Sequence, residues 1–439
     1  MAAVEKKLAG SGILYTDRRN FYLSPNATKE LWPAVTPFTT TVSASRLVTG
    51  LQDPIFKQFE HRSAFRDQKF LCNNDIVNIP NSDVESDLIS IDGIVGLPSS
   101  VDDSYLGLVV EIWNSTETTL KGKAVITSAN SSTEVQMKQL GTSASLNTAD
   151  NDVFRVVGSA YGEGAESPAA WADELKVVWG STQIFRTSVQ VTGSLLQAAL
   201  RGYSNELARL RVEKSKEHKM HKERAFLFGG SVLGTGLADS RDGTSTETFG
   251  DTSRTDADGN KVRTTMGLVT ALNDYGKTSG TDQNVFTITE ASYKYSSFVD
   301  DMEKVFQYYP NSLEKVAFCG PGAISYFSKI DSSTGFWGKS GGTLRLSQSE
   351  TGSLGYAFRR LETPHGVLKL VNTPVMRGPY NKYMVVVSDE NLSYVQYRPM
   401  KYSTNIKTDN APDLVKDEYF SDEGVGLTLI ESHSMFKIS

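Results

Sequence analysis

Residues 271–278, ALNDYGKT, place a small residue, four intervening positions and then Gly-Lys-Thr, the loosest form of a loop that cradles nucleotide phosphates. Such a loop works because it joins a buried strand to a helix whose first amides and dipole hold the phosphate oxygens. Here Thr278 is followed by SGTDQNVFTIT, which supplies no helix, and Asp274 would put a negative charge inside the cradle. A turn before a polar loop is the preferred reading, and a nucleotide-binding enzyme built on Lys277 is the least favoured alternative.

Other chemistry is sparser still. The chain has no His-Glu-x-x-His and no pair of cysteines at metal spacing, and it contains five histidines. His218 and His221 stand three apart with Glu217 beside them, a conceivable surface metal site. The flanking Lys214, Lys216, Lys219 and Lys222 would repel a cation, so a solvated charged face is preferred. Asp300 with Asp301, and Asp102 with Asp103, are paired by adjacency only, and adjacent side chains do not converge on one substrate. The expectation is no catalytic set, no cofactor and no metal.

The densest charge lies between Arg211 and Arg224, with six Lys/Arg, three Glu and two His. Its bland reading is a self-paired exposed helix, with Glu213 to Lys216 and Lys219 to Glu223 as spaced ion pairs. Its sharper reading is a surface offered to a polyanion such as DNA, through Lys214, Lys216, Lys219, Lys222 and Arg224.

The elements that carry these residues follow from pattern. Residues 1–50 hold Phe21, Tyr22, Leu31, Trp32 and Phe38 among Pro25, Pro33 and Pro37; this reads as an arm that needs another surface to pack on. From about 70 to 190, runs such as GLVVEIWN, GKAVITSA and DVFRVVGSA between Gly, Asn and Ser punctuation read as an all-β region. Thr192 to Phe228 has no proline, with Gly229 and Gly230 as its stop, and reads as one helix of about 36 residues and roughly 54 Å. Its charged second half is expected to stay out of the core, and a rod of that length implies a flat or elongated subunit. DADGNK at 256–261 has hairpin-turn chemistry. TITEASYKYSSFVDDMEKVFQYY reads as a helix opened by Thr289, KVAFCG as a buried strand, PGAISYFSKI as a helix with Pro321 in its first turn, DSSTGFWGKSGGT as a loop, and YAFRRLETPHGVLKLVNTPV, YMVVVSDENLSYVQYRP, KYSTNIKT and LTLIESHSMFKIS as sheet strands.

Composition excludes several classes. With 439 residues, 39% hydrophobic and 22% charged, the chain is expected to be a folded, soluble protein. A net charge of −6 disfavours a dedicated nucleic-acid binder. Two distant cysteines, Cys72 and Cys319, suit a reducing cytosol. Neither a signal peptide nor an 18-residue apolar run is legible, so no membrane partner is expected.

The order of arm, β-rich excursion, long helix, hairpin, α+β domain and returning C-terminal strand resembles the major capsid proteins of tailed bacteriophages, in their podovirus and siphovirus branch. TGLQDPIFKQFEHR (49–62), GSTQIFRTSVQVTGS (180–194), EHKMHKERAFLFGG (217–230) and HGVLKLVNTPVM (365–376) carry the likeness. The resemblance implies an α+β tailed-phage capsid fold. Its parts would be an N-terminal arm (1–50), a β-rich region with an extended loop (51–190), a spine helix (191–230) and a hairpin (231–285) of the peripheral domain, an axial domain (286–410) and a C-terminal strand (411–439). It implies a structural protein that self-assembles as hexamers and pentamers into an icosahedral capsid around a double-stranded DNA genome. Its partners would be copies of itself, a portal and a scaffold or decoration protein, in a virion assembled in the host bacterial cytoplasm. A cellular nanocompartment shell of the same fold is the alternative.

Overall fold

The computed structural model describes residues 36–61, 68–73, 77–80, 84–141, 145–170, 175–197, 206–230, 238–239, 247–248, 256–260, 262–280, 282–308, 313–329, 350–351, 357–406 and 413–439. The expected arm residues 1–35, the middle of the expected long helix (198–205) and most of 231–255, the first part of the expected hairpin region, lie outside the described residues. The chain divides into two compact units, 61–175 and the rest.

The larger unit begins with α1 (Pro37–Ser45), β1 (Leu47–Thr49) and β2 (Ile55–Glu60). Proline at the first turn of α1 forfeits no hydrogen bond, because that amide has no intrahelical partner. Phe38 and Val42, one turn apart, are buried, and the Phe38 ring meets Phe318 edge-on at 5.1 Å. The stretch read as part of an arm is therefore docked on its own chain from residue 37 through β1, which pairs in parallel with a strand near residue 394.

The inserted unit holds β3 (Lys69–Cys72), β4 (Val77–Ile79), β5 (Ile89–Val95), β6 (Leu108–Trp113), β7 (Leu120–Ser131), β8 (Glu134–Leu140), β9 (Leu146–Thr148) and β10 (Val153–Ser159). Six of these close a barrel in the order β10-β3-β5-β8-β7-β6, and β4 pairs with β9. Alternation explains the closure: Ile89 and Ile91, Val110 and Ile112, Ala124 and Ile126, and Val135 and Met137 all point inward on a period of two. Phe70 and Phe154 stack at 5.1 Å in the centre. The β-rich region is thus legible strand by strand, and its strands enclose a core of their own.

The chain returns through β11 (Lys176–Ser181), which pairs antiparallel with β2, and β12 (Gln183–Thr192). Then follow α2 (Gly193–Gln197), α3 (Glu206–Phe228), the short pair β13 (Ala238–Asp239) and β14 (Glu247–Thr248), α4 (Leu268–Tyr275), β15 (Val285–Ile288), α5 (Tyr295–Val305), β16 (Glu314–Cys319) and α6 (Pro321–Lys329). The last strands are β17 (Glu350–Thr351), β18 (Ala357–Glu362), β19 (Val367–Asn372), β20 (Tyr383–Val387), β21 (Leu392–Ser403), β22 (Leu414–Leu427) and β23 (Ser434–Ile438).

Two sheets organise this unit. A seven-stranded sheet runs β15-β23-β20-β16-β19-β18-β17. Its central strands are apolar on both faces: Val316 and Phe318 join one core, and Ala317 and Cys319 the other, under α5 and α6. That two-sided burial is why KVAFC reads as a continuous apolar run. A four-stranded sheet, β1-β21-β22-β12, carries α3 on one face. The helix expected to start at Thr289 starts at Tyr295 instead, because Val285–Ile288 is taken up in parallel pairing with β23. DADGN at 256–260 forms a turn, in which the Asp256 carboxylate accepts from the amides of Asp258 and Asn260.

Candidate functional site

The stretch 271–278 is not a phosphate cradle. Residues 271–275 continue α4, held there by burial of Leu268, Val269, Ala271, Leu272 and Tyr275 on one side. The amides that would face phosphate are spent: Ala271 donates to Gly267, Gly276 to Leu272, and the Lys277 amide to the Asn284 side chain at 2.8 Å. The Lys277 ammonium pairs with Asp282 at 3.4 Å. The sequence reading expected a turn here, and the apolar spacing that makes the segment a helix was the signal it passed over.

The charged half of α3 corrects a second expectation, that it stays out of the core. Arg211, His218 and Lys222 are separated by seven and four residues, so they share one helix stripe. That stripe faces β22, whose Asp417, Ser421 and Glu423 recur at even spacing on one sheet face. The Arg211 guanidinium forks onto Asp417 at 2.7 and 2.9 Å, and Asp417 also receives the Tyr402 hydroxyl and the Asn405 amide. Burial pushes the Asp417 carboxyl up, but these donors outweigh it and hold it below its ordinary value. His218 is fully buried between Thr187 at 3.0 Å and Ser421 at 2.9 Å, with the Phe185 ring edge-on at 6.3 Å. Burial, reinforced by the Lys222 cation, pushes the imidazole down to about 4. Lys222 donates to Glu423 at 2.8 Å, and the Tyr394 hydroxyl donates to the same carboxylate oxygen at 2.6 Å.

The next residue, Glu223, points to α1. Its carboxylate accepts from the amides of Phe38 at 2.9 Å and Thr39 at 2.7 Å, and from the Thr39 hydroxyl. These are first-turn donors of α1 that no side chain of that helix satisfies. Burial raises the Glu223 carboxyl, and the three donors work against that rise. Gly229 ends α3 at Phe228, since a Cβ there would lie 2.4 Å from the Ala225 carbonyl and 2.7 Å from that of Thr265.

The five residues expected to face DNA are therefore not one surface. Lys222 is withdrawn, being 6% exposed and held by Glu423. Lys214 pairs with Glu217 at 2.6 Å and Lys216 is half-buried. Lys219 and Arg224 are exposed. Glu223 is taken up by α1, and the pairs Arg209–Glu213 and Lys214–Glu217 form along the helix. His218 points inward while His221 is exposed, 4.0 Å from Glu217, so the two do not share a cation position. Among the described residues no three His, Cys, Asp or Glu side chains converge on a metal site.

An open hollow of about 360 Å³ on the barrel is lined by Gln68, Leu97, Ser104, Leu108 and Val156, without a titratable side chain among them. On the β2–β11 ribbon Phe59 is 71% exposed opposite Val177, and the Lys57 ammonium lies 4.2 Å over the Trp179 ring. A single open apolar side chain is common on a protein surface.

The profile of one family, described as SU10 major capsid protein, matches residues 33–413. No curated protein gives a significant match. Among solved structures, the capsid of a native GTA particle aligns over 95% of this chain and 96% of its own, at 8% identity and a TM-score of 0.40. The mature capsid of bacteriophage PhiM1 aligns over 65% and 79%, at 8% identity and 0.38. The SrpI encapsulin of Synechococcus elongatus PCC 7942 aligns over 61% and 76%, at 10% identity and 0.35. At these scores the structural likenesses carry no argument, and the family match alone assigns the chain.

Proposed function

Because the chain belongs to the SU10 major capsid protein family, we propose that its copies close as hexamers and pentamers into an icosahedral shell around double-stranded DNA. The protein is a shell-forming structural protein of a virion capsid with an α+β tailed-phage capsid fold. The observation that carries the finer reading is the family match over 33–413. In this reading α3 and the four-stranded sheet form the peripheral domain, and the seven-stranded sheet with α5 and α6 the axial domain. The arm comprises the residues before α1, and the barrel is the extended excursion. The Phe59 face of the ribbon is covered by a neighbouring copy. A portal, a scaffold or decoration protein and assembly in the host cytoplasm complete the scheme.

Electron microscopy of the purified chain tests it. Closed particles with six- and five-fold capsomers are expected as concentration rises. A chain that stays monomeric at every concentration, with or without co-expressed scaffold, overturns the reading.

A further inference from the structure

Charge is distributed unevenly along this chain. The unit 61–175 has 7 Lys/Arg against 17 Asp/Glu, a net of −10, and the remaining residues have 38 against 34, a net of +4. No lysine or arginine occurs between Lys69 and Lys121. The overall −6 thus hides a body with surplus cations. As shown above, α3 does not present them, because it spends most of its cations on internal partners.

They gather on the opposite face of the four-stranded sheet. Side chains alternate across a strand, so while Asp417, Ser421 and Glu423 face α3, Lys416, Glu418, Phe420 and Asp422 face away. The register puts Arg186 beside Phe420 and Phe420 beside Lys401. It also puts Arg398 beside Asp422 and Gln190 beside Lys416. The Phe420 ring lies between two guanidiniums, Arg398 at 4.4 Å and Arg186 at 5.4 Å. Buried Asp422 fixes Arg398 at 3.0 Å and Arg263 at 3.2 Å. Arg186, Arg398, Lys401 and Lys416 are all exposed. Against five cations stand Glu418, 3.4 Å from Arg186, and Asp422, an excess of three.

We propose that this outer face of β12, β22 and β21 is where the subunit meets packaged duplex DNA, by contact with phosphates rather than bases. The inference rests on the reading of the chain as a DNA-enclosing shell. Two features favour a polyanion over a second copy. Lysine is depleted at protein interfaces, where arginine and aromatic side chains are enriched, and two exposed lysines, Lys401 and Lys416, lie on this face beside the Arg186–Phe420–Arg398 cluster. Faces that take nucleic acid are polar and strongly positive. Arg398 is moreover held in place before binding, by Phe420 and Asp422, so little side-chain freedom is lost on contact.

The probe is a 30-base-pair duplex of mixed sequence, titrated into the full chain across a salt series. Each phosphate contact contributes about 0.9 to the slope of log affinity against log salt. An Arg186→Gln/Lys401→Gln/Lys416→Gln variant should lower that slope by about 2 to 3. Between 50 and 200 mM salt the wild type then loses about forty-fold more affinity than the variant. Lys401→Glu/Lys416→Glu leaves the Arg–Phe–Arg stack in place and should act the same way. Lys219→Gln/Arg224→Gln on α3 should change the slope by less than about 1.

An unchanged slope in the first two variants overturns the inference, as does an equal loss in the α3 variant. Loss of particles in the first two variants with an unchanged slope assigns the face to copy-to-copy contact and also overturns it. Particle formation by the wild type is scored separately by microscopy, so a failed shell reading is told apart from a failed DNA face.

Discussion

His218 and His433 show what burial does to single residues in this chain. Both are fully buried, and burial first, with a neighbouring lysine second, pushes them down to about 4 and about 3. An unfolded histidine titrates near 6.5. Between that value and the folded one the unfolded chain binds protons that the folded chain refuses. The stabilisation is therefore complete above about pH 6.5 and is lost as pH falls toward 4, by about 3 kcal/mol for His218 at full effect. The raised carboxyls of Glu223 and Asp301 act in the opposite sense, so the test is a difference between variants. Chemical unfolding of the wild type and of His218→Gln at pH 7 and pH 4.5 should show a smaller pH-dependent loss in the variant. Equal losses would remove His218 as a contributor. Of this site, the residue types were legible in the sequence. Their inward aim was not, because it depends on a strand two hundred residues away.

For the elements, α1 and α3 illustrate how one side chain can secure a segment. Glu223 supplies the cap that Thr36 does not, and it is fully buried while doing so. Glu223→Ala leaves two amides of α1 without an acceptor, which costs about 2–4 kcal/mol. Hydrogen exchange should rise in Phe38 to Ala44 before it rises in α3. Uniform exchange across both helices would mean that α1 is held by Phe38 and Val42 alone. Elements with a strong local period were the ones read correctly: β16 by its two-sided apolar run, α6 by Pro321, and the barrel strands by alternation. Missed or shifted elements, such as β15 and the start of α5, are those whose pairing partner is far along the chain. No local pattern encodes that partner.

At the scale of the whole molecule, Phe59 and the charge asymmetry matter most. A phenylalanine left 71% exposed on the ribbon gains about 2 kcal/mol when a neighbour covers it. Phe59→Ser is expected to raise the concentration at which particles form by about ten-fold or more, read by light scattering with microscopy. An unchanged threshold would place the ribbon outside the copy-to-copy contacts.

The sequence alone determined an α+β body and a β-rich region, and its stretches at 49–62, 180–194, 217–230 and 365–376 carried the resemblance that implied a shell-forming structural protein. Periodicity, helix stops and short motifs are local properties that survive in a one-dimensional string. Only the tertiary structure decided which charges are spent and which are free. Whether a lysine is a contact surface or half of a buried pair depends on a carboxylate brought beside it by sheet pairing. Lys222 and Lys401 look alike in the string, and only Glu423 across the fold separates them.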